Sequence, residues 1–252
     1  MGRRLGWRPS AVRALSVVGF LLVWELAALA AHSRLLPPVS AVLVAMARDC
    51  ASGVLPLNLA ITLGRVAVAF VVSMLLGSAL GLAMGVWRGL DLALDSWVTV
   101  LLNMPALVVI VLMYVWFGMN EATAIGAVVL NKLPSTTVMV REGARALDRG
   151  LLEMAHSFRM RRWPTIRHVV LPQLYPYLFA AARSGLAIIW KIVLVVELLG
   201  RSNGVGFRIQ LYFQLFDVTE ILAYTLAFLA VVQALEWLAL QPLERRASRW
   251  RR

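Results

Sequence analysis

The chain has 252 residues, 61% of them hydrophobic and 15% charged, and a formal net charge of +12. A soluble domain of this length needs more polar side chains to cover its surface, so the composition points to lipid as the solvent. The positive charge is not laid out as a nucleic-acid footprint. Arg3, Arg4, Arg8 and Arg13 cluster at the start and Arg245, Arg246, Arg249, Arg251 and Arg252 at the end, while Arg141, Arg145, Arg149, Arg159, Arg161, Arg162 and Arg167 share one internal segment.

A helical span needs about twenty mainly apolar residues. Residues 12–31 meet that length with Glu25 inside. Their arginine-rich start and small residues at 28–31 also resemble a secretory signal peptide, but the apolar run is long for that role. An uncleaved first helix is expected. Pro37-Pro38 then leads to Ser40, an expected N-cap for a short apolar helix through Met46 along the outer interface. Cys50 is the sole cysteine, which excludes a disulfide framework within the chain, and His32, His156 and His168 are too scattered in sequence to suggest a metal-ligand set, although folding could still bring them together.

Residues 66–86 and 97–117 form spans without a charge. Gly77, Gly81 and Gly85 leave one stripe of the first of these bare, so that a neighbour can approach closely. Pro105 is expected to kink the second. Residues 122–140 are the weakest span, interrupted by Asn131 and Lys132. Residues 171–199 contain Arg183, Lys191 and Glu197, and residues 221–240 contain Glu236. The total is six. An even number puts both termini on one side, and their arginines place that side in the cytoplasm. The same arithmetic puts the internal arginines of residues 141–168 inside as well.

That internal loop holds most of the functional signal. Residues 141–160 read as helical, with Gly150 as a joint. Leu151, Leu152, Ala155 and Phe158 fall on one face, and Glu153, Ser157 and Arg161 fall elsewhere. Pro164 is expected to stop the helix, with Trp163 biased out of helical geometry. Pro172 and Pro176 open the fifth span. A short amphipathic helix held between two spans can pass force between a membrane domain and a soluble partner.

Glu153-Met154-Ala155, followed by Leu171-Pro172, resembles the Glu-Ala-Ala loop of binding-protein-dependent ABC permeases. Leu36-Pro37-Pro38, Arg65, the Gly77-Gly81-Gly85 series, Trp116-Phe117-Gly118, Glu197 and Gly204-Val205-Gly206 look like the nitrate, sulfonate and taurine branch of that family. Two positions depart from the family pattern: Met154 replaces its middle alanine, and Arg159 stands where a glycine is usual.

The resemblance implies an all-α polytopic bundle of about six helices forming one permease domain over residues 1–252. The family-like core covers about 58–240, and the cytoplasmic coupling loop covers 141–168. Leu151, Glu153, Met154, Ala155, Phe158 and Arg159 would meet a separate ATPase, with Pro164, Leu171 and Pro172 at the hinge into the next span. The bland reading of Glu153 is a residue that caps or solubilises its helix.

No catalytic role, metal or bound cofactor is implied for this chain, since neither of its two lysines sits in a phosphate-binding loop. ATP and magnesium would belong to two ATPase copies. A second permease copy, expected to be identical, and a periplasmic or lipid-anchored substrate-binding protein would complete the assembly. The bacterial inner membrane would hold it, moving a small anion such as nitrate, a sulfonate or taurine by alternating access.

Arg183, Lys191 and Glu197 are the candidates for the pathway. Lys191 alternatively forms a structural ion pair with Glu25 or Glu197. Two other classes remain: a secondary transporter or channel that needs no ATPase, and an intramembrane enzyme, for which no paired catalytic groups are evident in the spans.

Overall fold

A computed structural model describes residues 9–33 and 35–240. Arg3, Arg4, Arg8, Arg245, Arg246, Arg249, Arg251 and Arg252 lie outside them. Every regular element among the described residues is helical: α1 (Pro9–Ala31), α2 (Val39–Ala51), α3 (Val54–Val86), α4 (Arg88–Asn103), α5 (Ala106–Phe117), α6 (Glu121–Arg145), α7 (Arg149–Ser157), α8 (Arg162–Thr165), α9 (Leu171–Gly200), α10 (Val205–Gln214) and α11 (Val218–Leu235). Residues Ile166–Val170 join α8 to α9 as a π-helical turn, so one continuous helix runs from Arg162 to Gly200.

Among the described residues, four helices are long and apolar enough to cross a membrane: Val54–Val86, Glu121–Arg145, Arg162–Gly200 and Val218–Leu238. The pair α4 and α5 gives a fifth if both halves make one span. The apolar part of α1, Leu15–Ala31, is shorter and is the remaining segment of the six expected.

Pro105 does more than kink its span. Met104 and Pro105 are both extended, with ψ of 126° and 131°, and the axes of α4 and α5 meet at 102°. Proline disfavours the helical region for the residue before it, and here Met104 leaves that region, so two helices replace one.

The segment ranked weakest by hydropathy is the centre of the fold. α6 packs against α3, α4, α5 and α9, and more than half of its apolar window is buried. A helix surrounded by protein does not need lipid-soluble side chains on all faces. Thr123, Lys132, Thr136 and Thr137 are accordingly buried on it. The glycine stripe of α3 makes the close contact. A Cβ at Gly77 would lie 2.7 Å from Thr136 Cβ, one at Gly81 2.5 Å from the Thr137 carbonyl oxygen, and one at Gly85 2.5 Å from Ala144 Cβ. Val66, Ala69, Ile110, Tyr114, Ala127, Val128, Ile189 and Val196 fill the core between α3, α5, α6 and α9. Many outward positions are apolar, as a lipid-facing surface requires; Leu75 is 66% and Val115 72% exposed.

Ser40 does not cap α2. The helix starts at Val39 without a side-chain cap, and Ser40 Oγ instead donates to Glu25 Oε1 at 2.7 Å, tying α2 to α1. On its other side α2 is held to α11 by the Arg48–Glu220 ion pair and by Tyr224 Oη donating to Asp49 Oδ2 at 3.0 Å.

Candidate coupling surface and the polar clamp at the opposite helix ends

Between α6 and α8 the chain makes one short helix with an exposed apolar stripe. The joint before it lies at residues 146–148 rather than at Gly150, because Asp148 is an N-cap: its Oδ1 accepts from the Gly150 N–H at 2.7 Å. The Asp148 N–H in turn donates to Gln173 Oε1 at 2.8 Å, which fastens the start of α7 to the first turn of α9.

Ala155 is buried, at 1% exposure, and Leu152 is half-buried beside it. Leu151, Met154 and Phe158 follow the i, i+3, i+7 spacing of one helix face and are all exposed, Phe158 at 76%. The expected single apolar face therefore divides. Ala155 and Leu152 hold the helix to the body of the protein, while Leu151, Met154 and Phe158 are left open. Glu153, between Leu151 and Met154 in sequence, is exposed, as are the neighbouring Arg149, Arg159, Arg161 and Arg162.

The helix ends at Arg159, not at Pro164. Arg159 has φ +51°, its N–H donates to the His156 carbonyl at 2.9 Å, and the Met160 N–H donates to the Ala155 carbonyl at 3.0 Å. This is the Schellman closure, with arginine in the left-handed position that glycine occupies most cheaply. Pro164 and Trp163 lie inside α8, within the first turn of the long helix, where a missing N–H costs nothing. Leu171 and Pro172 follow the π turn, in the first turn of α9. At the end of α6, Arg141 pairs with Asp91 at 3.1 Å and also with Asp95 of α4, while Arg145 pairs with Asp91, so α4 braces the same end of the bundle.

The other end of α9 is held by a buried clamp. Arg65 of α3 uses all five of its N–H donors. Nε and Nη2 donate to the two oxygens of Glu121 at 2.6 and 2.9 Å, Nη1 to Glu197 Oε1 at 2.7 Å and to the Asn203 carbonyl at 2.9 Å, and Nη2 also to Asn203 Oδ1. Glu197 is fully buried, and its Oε2 accepts from Thr62 Oγ1 and from the Gly206 N–H, both at 2.9 Å. Asn58 and Thr62 accept from the Gly204 and Val205 N–H groups, so the N-terminus of α10 meets a carboxylate and two neutral acceptors. Gly204, at φ +101°, and Gly206 allow that approach; a Cβ on Gly206 would lie 2.3 Å from the Leu194 carbonyl oxygen. Arg201 closes the clamp by pairing with Glu121 at 2.6 Å.

The clamp overturns both ion pairs expected for Lys191. Glu197 is committed to Arg65, and Glu25 to Ser40. Lys191 is exposed on α9 and has no ion-pair partner among the described residues. Arg183 is exposed on the same helix. Four groups with a structural part went unread in the sequence: Asp148, the pairing of Arg65 with Glu197, Glu121 with Asn203, and the buried Lys132. Asp148 had a local signal, an aspartate three residues before the first apolar residue of a helix. The clamp had none, because its partners lie 56 to 138 residues from Arg65.

Comparison with known proteins adds the following. Residues 73–239 match the family described as the binding-protein-dependent transport system inner membrane component. The chain is 32% identical over 235 residues to the putative aliphatic sulfonates transport permease protein SsuC of Escherichia coli, covering 92% of this chain and 89% of that protein. It is 28% identical over 260 residues to the taurine transport system permease protein TauC of Escherichia coli, covering 98% and 94%. Over 244 residues it is 24% identical to the bicarbonate transport system permease protein CmpB of Synechococcus elongatus, covering 87% of each. Among solved structures, a chain of an amino acid ABC transporter superposes with a TM-score of 0.64 at 20% identity, covering 79% of this chain and 97% of that one. A chain of the inward-facing MetNI methionine ABC transporter gives 0.67 at 18% identity, covering 80% and 99%.

Proposed function

The chain belongs to the binding-protein-dependent transport system inner membrane components, and we propose that it is the permease subunit of an ATP-driven importer for a small anion of the sulfonate type. The observation that carries this reading is the exposed stripe of Leu151, Met154 and Phe158 on a helix that is itself bolted to the membrane bundle. Isolated apolar side chains on a surface need no explanation, but two on one face of a nine-residue helix and a third at its C-cap, in an arginine-rich segment, fit an acidic-rimmed cleft in a soluble partner. That partner is an ATPase, present in two copies, which holds ATP and magnesium itself.

Force applied to α7 has a direct route into the spans. The Asp148–Gln173 hydrogen bond and the buried Ala155 pass a displacement of α7 to the continuous helix Arg162–Gly200. At its far end Glu197 passes the displacement to Arg65 of α3 and, through it, to Glu121 of α6. In this scheme two permease copies, taken to be identical, open to one side or the other as the ATPases close or part, and a substrate-binding protein delivers the solute. Both termini and α7 face the cytoplasm, and the bacterial inner membrane holds the assembly.

Uptake of labelled ethanesulfonate by cells with and without the chain tests the proposal. The permease reading expects uptake that needs the chain, stops when ATP is depleted and survives collapse of the proton gradient. Uptake that follows the proton gradient and ignores ATP would identify a secondary transporter instead.

A further inference from the structure

Lys132 lies in the middle of α6, 11 residues from Glu121 (132 − 121) and 13 from Arg145 (145 − 132). At a rise of 1.5 Å per residue it is roughly 16 Å from the Glu121 end, near the centre of a hydrocarbon core about 30 Å thick. Its side chain is 1% exposed. Nζ donates to Ser135 Oγ at 2.7 Å and makes no other hydrogen bond among the described residues. An ammonium has three donors, so two are left without an acceptor.

The helices that pack against α6 offer this amine no acid. α5 is uncharged, and Arg65 is the single charged residue of α3. On α4, Asp91 and Asp95 pair with Arg141; on α9, Glu197 is committed to Arg65. On α6 itself, Glu142 is 10 residues away (142 − 132) and pairs with Arg141 and Arg145. An amine kept from water with most of its donors unmet raises the free energy of the packed state, whether or not it carries its proton.

The fold accommodates the stem of Lys132 instead. Gly185, buried on α9, is a notch for it: a Cβ there would lie 2.6 Å from Lys132 Cε and 3.3 Å from Nζ. α6 is also weakened at the same level. Pro134, buried inside the helix two residues further on, has no N–H to give the Leu130 carbonyl, so the ladder lacks one rung beside the notch. Close approach, a missing rung and an unmet amine thus meet at one contact between α6 and α9.

We propose that this contact is a release catch. Lys132 is a positioning residue that keeps the closest packing of α6 against α9 metastable, so that a displacement of α9 lifts the amine out of the notch and into water. The catch rests on the permease reading only for what moves α9, the helix α7, and solute need not touch it.

Two variants push the catch in opposite directions. Lys132→Met keeps a stem in the notch and removes the amine, which favours the packed state. Gly185→Ala puts a Cβ where the stem lies and turns the lysine out while leaving it intact. Hydrogen exchange is read over the α6 and α9 amides flanking the notch, on the full chain in mild detergent without nucleotide. It should slow about tenfold in Lys132→Met and quicken in Gly185→Ala. In opened native membrane vesicles, a water-soluble acylating reagent should modify Lys132 slowly in the native chain and about tenfold faster in Gly185→Ala, read by mass spectrometry of its peptide. A contact with a packing role alone expects exchange that is unchanged or faster in Lys132→Met. That result, or acylation of Gly185→Ala at the native rate, overturns the catch. In cells, Lys132→Met should keep its ATPase and lower the maximal uptake rate of ethanesulfonate about tenfold, with an unchanged half-saturation concentration. Native uptake, or a raised half-saturation concentration at the native maximal rate, also overturns it. If the native chain itself retains no ATPase, the permease reading fails, and exchange and acylation still decide the catch.

Discussion

Replacing Arg65 with methionine isolates the energetics of the clamp. Arg65 is 5% exposed and supplies hydrogen bonds to Glu197, Glu121 and Asn203. Glu121 loses little, because its side chain is 48% exposed and Arg201 remains paired with it. Glu197 is fully buried and keeps only Thr62 and the Gly206 N–H. The loss therefore falls on one buried, uncompensated carboxylate, and removing one partner of such a pair costs about 3–5 kcal/mol. Denaturant unfolding of the purified subunit in mild detergent measures it. Adding Glu197→Gln to Arg65→Met should recover about half of the loss, since the neutral side chain no longer carries an unpaired charge. Arg65→Lys should not rescue, because one ammonium cannot span the acceptors that a five-donor guanidinium reaches. A loss below about 1 kcal/mol for Arg65→Met, or a double variant no more stable than the single, would refute the reasoning.

Further outcomes follow from the packing. Gly81→Ala drives a Cβ to 2.5 Å from the Thr137 carbonyl oxygen, backbone that cannot swing away, and should cost about 1–3 kcal/mol; Gly64→Ala, with open space around it, should be neutral or better in the same unfolding assay. Arg159→Gly relieves a left-handed arginine and should stabilise α7 by about 1 kcal/mol, read as slower hydrogen exchange of its amides. Asp148→Ala removes the N-cap and should destabilise α7 by about 1 kcal/mol, with faster exchange over the same amides.

The lipid-facing part of the fold was legible because lipid selects on hydropathy alone. The outward face of α3 is apolar along its length, and the arginines mark the loop between α6 and α8. The same criterion misjudged α6, which meets protein on most sides and can hide Lys132, Thr136 and Thr137. The glycine spacing of α3 carried its own meaning, since close approach leaves a pattern on one chain. Proline carried less. Pro105 was read as a kink where the backbone breaks outright, and Pro164 was read as a stop where it begins a helix. In each case the deciding fact was the conformation of a neighbour, Met104 in one and Arg159 in the other. Lys191 was read as a pathway residue or as half of an ion pair with Glu25 or Glu197. Its supposed partners were wrong because the pairing of Arg65 with Glu197 spans 132 residues and leaves no local trace.

The central claim is that the open face of α7 docks an ATPase. The direct measurement is purification of this chain from native membranes in mild detergent, followed by mass spectrometry of what stays bound. It is repeated for Met154→Arg with Phe158→Arg, and for Phe158→Leu as a control that keeps the face apolar. Ala155 is left intact because it is buried and its replacement would unseat the helix. The account predicts an ATPase retained by the native chain and the leucine control and lost from the arginine variant. An arginine variant that still holds its ATPase, or a native chain that retains none after gentle cross-linking, contradicts it.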